Sequence, residues 1–221
     1  MFWFTLRRRT EEEAMPSASR QAHWEDVYTK KGEHEVSWFQ ENPAPSLELI
    51  AQVGAIPASA VIDIGGGASR LVDNLLSRGF QDVTVLDLSE AALGAAKARL
   101  GSRAGQVHWI VADATAWDPP RAYDIWHDRA AFHFLTEGGD RAAYVERLER
   151  GLKLGGYAII ATFALDGPER CSGLPVVRYD AASLGETLGR AFQLVDTRRH
   201  AHATPWDSNQ SFQFSVFRHC S

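Results

Sequence analysis

The chain has 221 residues, of which 45% are hydrophobic and 23% charged, and its formal net charge is −5. This composition is typical of a globular protein with one domain and excludes a chain that is disordered throughout. The acidic balance disfavours a nucleic-acid-binding surface, because such surfaces are basic. No stretch reaches about 18 consecutive apolar residues, so no membrane-spanning helix is expected. The two cysteines form no CxxC pair and favour a cytoplasmic location.

The N-terminal segment 1–20 is predicted to be a disordered leader. Its apolar part precedes three arginines, which is the reverse of a signal peptide. Met1 and Met15 both remain possible starts. Residues 21–221 are predicted to form a single domain, whose helical cap is residues 21–54 and whose sheet core is residues 60–221.

The cap is predicted to contain two helices. Trp24 and Tyr28 lie four residues apart, on one face of the first helix. Ser46 is predicted to be the N-cap of the second helix, at residues 47–53. Together with Trp38 and Phe39, these two aromatic residues are predicted to form a lid over a cationic ligand, because aromatic faces attract positive charge. Plain hydrophobic packing is the alternative.

Strands and helices alternate through the core. Short β-branched runs predict strands at 60–64, 83–87, 107–111, 123–127, 157–163, 192–198 and 212–217. Amphipathic or capped stretches predict helices at 69–78, 90–100, 140–153 and 181–188. No helical pattern lies between 199 and 211, so the last two strands are expected to be antiparallel. The predicted fold is a doubly wound α/β domain: a mostly parallel seven-stranded sheet with helices on both faces and an antiparallel last strand.

A glycine turn and two carboxylates follow the first three strands. Gly65, Gly66 and Gly67 let bare backbone approach a ligand at the switch point of the sheet, although a plain tight turn is the alternative. Asp87 ends the second strand and is predicted to accept hydrogen bonds from ribose hydroxyls. Asp113 follows the third strand and is predicted to accept one from an adenine amine. The three features predict an adenosine site.

The residues around the turn favour one adenosine ligand. Arg70 stands where the dinucleotide fingerprint has its third glycine, and the chain has no phosphate-binding P-loop motif. Asp63, just before the turn, would repel a pyrophosphate but attract an ammonium or sulfonium group. The predicted cofactor is S-adenosylmethionine, with S-adenosylhomocysteine as its product. The alternatives are an NAD(P)-dependent oxidoreductase and a non-catalytic module that binds S-adenosylmethionine.

The segments 61–67, 85–89 and 112–114 resemble the successive motifs of class I S-adenosylmethionine-dependent methyltransferases, and 152–156 resembles the turn before their fifth strand. The resemblance covers roughly residues 21–218. It implies methyl transfer to a nitrogen, oxygen or sulfur atom. It places cofactor contacts at Asp63, Gly65, Gly66, Gly67, Asp87, Leu88, Asp113 and Ala114, with Trp38 from the lid. Gly66 departs from the family, which more often has Cys or Ser there.

The opening segment 23–39 resembles lysine methyltransferases that modify elongation factors. This resemblance makes a protein lysine the alternative acceptor. The chain departs from those enzymes at Asp128-Arg129-Ala130, where they carry an Asp-Lys-Gly run, and this departure counts against a lysine acceptor. A small-molecule acceptor is favoured, because the chain has no large appendage for docking a macromolecule. The oligomeric state is left open.

Two histidines are candidates for catalysis. His127 is expected at the carboxyl end of the fourth strand, where a neutral imidazole suits a general base; bonding to loop backbone is the alternative. His133, six residues on, is the second candidate. Asp128 and Arg129 are interpreted as pairing with each other or holding the loop, and Cys171 as a bystander thiol. No metal site is predicted, since His200 and His202 have no carboxylate or cysteine beside them.

Overall fold

The computed structural model describes residues 17–220 of the chain. The elements follow one another as in a doubly wound α/β protein. The helices are α1 (Ser17–Lys30), α2 (Ala44–Gln52), α3 (Leu71–Ser77), α4 (Glu90–Leu100), α5 (Gly138–Gly151) and α6 (Ala181–Leu188). The strands are β1 (Ala60–Ile64), β2 (Asp82–Asp87), β3 (Val107–Val111), β4 (Tyr123–Arg129), β5 (Leu152–Phe163), β6 (Arg170–Cys171), β7 (Leu174–Pro175), β8 (Phe192–Ala203) and β9 (Asn209–His219).

Seven strands form one sheet, in the order β3-β2-β1-β4-β5-β9-β8. Strands β1 to β5 are parallel where they pair, and β9 is antiparallel to both β5 and β8. The predicted mostly parallel sheet with an antiparallel last strand is confirmed. The separate hairpin of β6 and β7 was not predicted, because strands of two residues carry no periodic signal.

Helices cover both faces of the sheet, and successive residues of β1 show it. Val61 packs in one apolar cluster with Leu47 of α2 and neighbouring helices, whereas Ile62 packs in a second cluster with Leu148 of α5. All five residues of β1 are buried. Side chains on a strand alternate between faces, so every second residue of β1 and β4 faces α2.

Several boundaries differ from the predicted ones. Strand β4 ends at Arg129 rather than at 127, because pairing with β5 continues to Arg129 opposite Ala161. The predicted cap at Ser46 is wrong: Pro43 is the N-cap, and α2 begins at Ala44. The described part of the chain begins within the predicted leader, and residues 17–20 belong to α1. The rest of that leader, 1–16, lies outside the described residues, and the division into cap and core stays a prediction. None of the helices within 17–220 is long and apolar enough to span a bilayer.

Candidate active site

A cleft of about 820 Å³ opens where the parallel strands β1 to β4 end. Parallel strands bring their carboxyl ends to one edge, which is why this edge collects residues from distant parts of the chain. The predicted cofactor residues that line the cleft are Trp38, Gly65, Leu88, Asp87, Asp113 and Ala114. The predicted site residues that do not line it are Asp63, Gly66, Gly67, His127 and His133.

The glycine turn is tied to the neighbouring strand. The amides of Gly65 and Gly66 donate to the carbonyl oxygen of Leu86 at 2.8 and 3.2 Å. Gly65 and Gly67 have φ of +64° and +44°, which glycine adopts without strain. A Cβ at Gly66 would lie 2.6 Å from Oδ2 of Asp63, so the buried carboxylate fills the space that a serine or cysteine needs.

Asp87 is a buried carboxylate at the end of β2 that faces the cleft. Its Oδ1 accepts a hydrogen bond from the Ser89 amide at 2.8 Å. Its Oδ2 lies 3.0 Å from where a Cβ of Gly67 would stand, so only glycine leaves this side open. Burial raises the pKa of Asp87 to about 7, and the negative charge of Asp63 adds to the shift. The carboxylate is therefore poised to change charge near neutral pH.

Asp113 is already bonded to helix α1. Its Oδ2 accepts hydrogen bonds from Ser17 and from Arg20, the latter at 3.0 Å from Nη2. Its Oδ1 accepts from the amide and hydroxyl of Thr115 at 2.9 and 2.7 Å. Burial raises the pKa of Asp113, but these hydrogen bonds outweigh burial and lower it to about 2. Arg20 also pairs with Asp140, so α1 is fastened across the cleft by one guanidinium between two carboxylates.

Helix α1 carries two of the aromatic side chains that line the cleft, Trp24 and Tyr28. The Trp24 ring lies 5.6 Å from that of Trp38 and 4.9 Å from that of Phe134, centroid to centroid, in edge-to-face contacts. The Trp38 indole N–H donates to the Tyr28 hydroxyl at 3.1 Å. Glu25 accepts from the Ser89 hydroxyl at 2.7 Å, which joins α1 to the start of α4. Trp24, Tyr28 and Trp38 line the cleft, whereas Phe39 lines a smaller adjoining cavity, and their action as a lid stays a prediction.

His127 lies inside the protein instead of at the cleft. Its Nδ1 is 2.7 Å from Oδ1 of Asp63, and its Nε2 is 2.8 Å from the Ser46 hydroxyl. All three side chains are buried, with 2% of His127 exposed. The arrangement repeats the order of groups in a serine nucleophile triad, but neither the hydroxyl nor the imidazole reaches the cleft. This position does not support His127 as a general base for a bound acceptor, and Asp63 does not reach the cofactor cleft.

His133 is buried as well. Its Nδ1 accepts a hydrogen bond from the Phe163 amide at 3.2 Å, and burial lowers the pKa of the imidazole to about 3. It does not line the cleft. Asp128 holds this loop, since its carboxylate accepts from the amides of Ala131 and Phe132 and from the Tyr144 hydroxyl. Asp128 therefore has the loop-holding role that the sequence suggested, without pairing to Arg129.

The cleft residues that were not predicted as site residues include Arg20, Arg129 and Cys171. Arg20 lay in the predicted leader, Arg129 lay beyond the predicted end of the fourth strand, and Cys171 was interpreted as a bystander. A pattern of apolar residues gives no signal for any of them. Among residues 17–220, no cluster of three or more metal-ligating side chains is present.

Comparison with known proteins gives a consistent result. Residues 61–156 match the family model described as a methyltransferase domain. A ubiquinone biosynthesis O-methyltransferase of Nitrosomonas europaea is 30% identical over 63% of this chain. A trans-aconitate 2-methyltransferase of Sinorhizobium medicae is 28% identical over 75% of it. The chain spans only 57% and 60% of the length of these two relatives.

Two further matches bear on the fold and on the acceptor. The solved 1,6-didemethyltoxoflavin-N1-methyltransferase of Burkholderia thailandensis superposes with a TM-score of 0.68 at 23% identity, covering 92% of this chain and 85% of that one. An eEF1A lysine and N-terminal methyltransferase homolog of Drosophila melanogaster is 26% identical over 61% of this chain, which covers 21% of that protein. Residues 61–156, which run from β1 into β5, thus resemble a methyltransferase domain, and the seven-stranded sheet around them agrees with the fold of the Burkholderia thailandensis enzyme.

Proposed function

We propose that the protein transfers a methyl group from S-adenosylmethionine to a small-molecule acceptor. The Asp87 carboxylate, facing the cleft beside the turn that begins at Gly65, carries this proposal. Such a carboxylate suits a ribose diol, and the turn leaves room for the chain of atoms that continues from the sugar. The Burkholderia thailandensis enzyme is described with S-adenosylhomocysteine bound, which supports the same cofactor here.

When bound, S-adenosylmethionine supplies an electrophilic methyl group on a sulfonium. The residues of this chain would bind and orient the reactants. Asp87 would accept hydrogen bonds from the ribose hydroxyls, and Asp113 would lie at the adenine end. Trp24 and Trp38 would exclude water and present aromatic faces to positive charge. Holding acceptor and methyl group in line is the main catalytic contribution that such a cleft makes.

The cleft favours an acceptor whose lone pair is already free. Burial raises the pKa of Cys171 to about 11 and raises that of Tyr28 as well, so both stay protonated at neutral pH. The imidazoles of His127 and His133 lie outside the cleft. A carboxylate or thiolate acceptor needs no general base. The trans-aconitate relative, named for a carboxylic acid, agrees with this preference.

A protein lysine is the second candidate, supported by the resemblance of segment 23–39 to lysine methyltransferases and by the Drosophila melanogaster relative. An ammonium acceptor needs a base to free its lone pair, and the two carboxylates that line the cleft, Asp87 and Asp113, are assigned to the cofactor in this proposal. We also propose a cytoplasmic location, on the basis of two unpaired cysteines at positions 171 and 220.

Calorimetric titration with S-adenosylmethionine, S-adenosylhomocysteine and NADH tests the cofactor. We expect the two sulfur nucleosides to bind and NADH not to bind; the reverse result would refute the proposal. Methyl-labelled S-adenosylmethionine, incubated with trans-aconitate or with fractionated cell extract, tests the acceptor. Label in the small-molecule fraction is expected, label in the protein fraction would favour the lysine alternative, and binding without any transfer would indicate a non-catalytic module.

A further inference from the structure

Arg129 is a cation at the cleft without a matching anion. It lines both the main cleft and a smaller adjoining cavity. Its Nη1 donates to the carbonyl oxygen of Trp38 at 2.9 Å, and its guanidinium carbon lies 5.3 Å from the centre of the Phe212 ring. Its Nη2 is shielded from solvent and has no hydrogen-bond partner within the described chain. A buried donor without an acceptor costs free energy, so this atom requires an explanation.

The groups near Arg129 do not neutralise it. Asp63, Cys171 and Tyr28 are those whose negative charge would stabilise the guanidinium. The Asp63 carboxylate already contacts His127 at 2.7 Å. Burial keeps the Cys171 thiol and the Tyr28 phenol protonated, because it raises the pKa of both. Burial lowers the pKa of Arg129 to about 10, so at neutral pH it remains a cation. Asp63 stabilises this charge only from a distance, since Arg129 forms no ion pair with a carboxylate of residues 17–220.

The cleft is therefore polarised along its length. Carboxylates, Asp87 and Asp113, stand at the ends of β2 and β3, and the guanidinium of Arg129 stands at the end of β4. The cleft is also lined by the aromatic side chains of Trp24, Tyr28, Trp38, Phe134 and Tyr144. An arginine presents a planar fork of N–H donors that matches the two oxygens of a carboxylate, and such charge-assisted bonds are strongest where water is excluded.

We propose that Arg129 binds a carboxylate of a molecule held in the cleft. This inference rests on the proposed methyl transfer and narrows its chemistry. Two sources supply the same group: the amino-acid part of S-adenosylmethionine and a carboxylate on the acceptor. In either case the anion would accept hydrogen bonds from the guanidinium and offset its buried charge.

The experiment measures binding to the full chain and to variants by calorimetry. The probes are S-adenosylhomocysteine, 5′-methylthioadenosine, which lacks the amino-acid part, and trans-aconitate added to protein saturated with S-adenosylhomocysteine. The variants are Arg129→Met and Arg129→Lys, which keeps a positive charge. The control is Arg150→Met, since Arg150 is exposed and pairs with Asp118, and neither residue lines the cleft.

Two results support the proposal and separate the sources. If the cofactor supplies the carboxylate, Arg129→Met weakens the binding of S-adenosylhomocysteine at least tenfold. The affinity for 5′-methylthioadenosine then stays within twofold of wild type. If the acceptor supplies it, both nucleosides bind as in wild type, and trans-aconitate binding falls at least tenfold. Arg129→Lys is expected to lose less affinity than Arg129→Met, and Arg150→Met is expected to keep the affinity of the wild-type protein.

Wild-type affinity of Arg129→Met for all three probes would overturn the proposal. If Arg129→Met does not fold, the proposal is tested by binding of carboxylate-free ligands to the wild-type protein instead. Decarboxylated S-adenosylmethionine binding at least tenfold more weakly than S-adenosylmethionine would support the proposal. Equal binding of the two, together with no binding of trans-aconitate, would overturn it. A wild-type protein that binds none of the nucleosides contradicts the proposed function and is thus distinguishable from failure at Arg129.

Discussion

Asp87 and Asp113 reach the cleft, whereas Asp63 and His127, on the strands beside them, do not. Asp87 is the last residue of β2, and Asp113 follows the end of β3. Asp63 and His127 stand before the last residues of β1 and β4, directly opposite each other in the sheet. Their side chains face α2 and meet there. One or two positions along a strand therefore decide whether a side chain lines the cleft or is bonded inside the protein.

The two sets of residues also differ in their hydrogen-bond partners. Asp63 and His127 bond to each other, and the Ser46 hydroxyl of α2 lies 2.8 Å from Nε2 of His127, so all their partners lie within the protein. Asp87 at the outer edge is bonded to the Ser89 amide yet keeps a face toward the cleft. Four variants or conditions test this contrast.

Loss of His127 is expected to have the largest effect. His127→Ala leaves the Asp63 carboxylate buried without its partner, which typically destabilises a protein by about 3–5 kcal/mol. Chemical denaturation measures the free energy of unfolding, and His108→Ala, at an exposed position of β3, is the control. A variant with wild-type unfolding energy whose turnover falls at neutral pH and recovers at high pH would instead establish His127 as a general base.

Loss of Asp87 is expected to affect binding more than folding. Asp87→Ala removes a charged acceptor for two ribose hydroxyls and should weaken S-adenosylhomocysteine by about 1–3 kcal/mol, or about 5- to 150-fold. Calorimetric titration measures this change. Asp118→Ala, which alters an exposed carboxylate, should leave the affinity unchanged. Undiminished affinity in folded Asp87→Ala would remove this residue from the ribose site.

The pH dependence of binding follows from the same group. The pKa of Asp87 is raised to about 7 by burial, and its ionised form is the better hydrogen-bond acceptor. Affinity for S-adenosylhomocysteine should therefore be highest above pH 7 and fall as pH falls, becoming about tenfold weaker at pH 6 than at pH 8. Titrations at both values should show no such difference in Asp87→Asn. A flat profile in wild type would contradict the assignment.

The smallest effect is expected at Arg20. Arg20→Met removes the link from α1 to Asp113 and Asp140 and should lower the free energy of unfolding by about 1 kcal/mol. Hydrogen exchange should show faster opening of α1, because this ion pair fastens the helix across the cleft. Arg147→Met, whose partner Glu146 is exposed, is the control. Unchanged exchange in α1 would mean that the aromatic contacts hold the helix alone.

Local patterns were sufficient for the sheet and for the part of the cleft at the ends of β1 and β2. Gly65 and Gly67 adopt the positive φ that their residue type predicts, and Asp87 lies at the strand end where the apolar run stops. Ser89 caps α4, and Asp180 caps α6, each through a hydrogen bond from a backbone amide. These features depend on a few neighbouring residues, so the sequence specifies them directly.

The part of the cleft at the end of β4 depends on pairing between distant strands. Strand β4 runs to Arg129 because β5 pairs with it that far, and this pairing places the guanidinium at the cleft and leaves His127 inside. Likewise, Arg20 lines the cleft only because α1 packs against the segment after β3, where Arg20 bonds to Asp113, about ninety residues further along the chain. The amino-acid sequence by itself determined the order of elements, the glycine turn and the carboxylates at the strand ends. Only the tertiary structure decided which neighbouring side chain faces the ligand, because strand register and helix docking are set by contacts between distant segments.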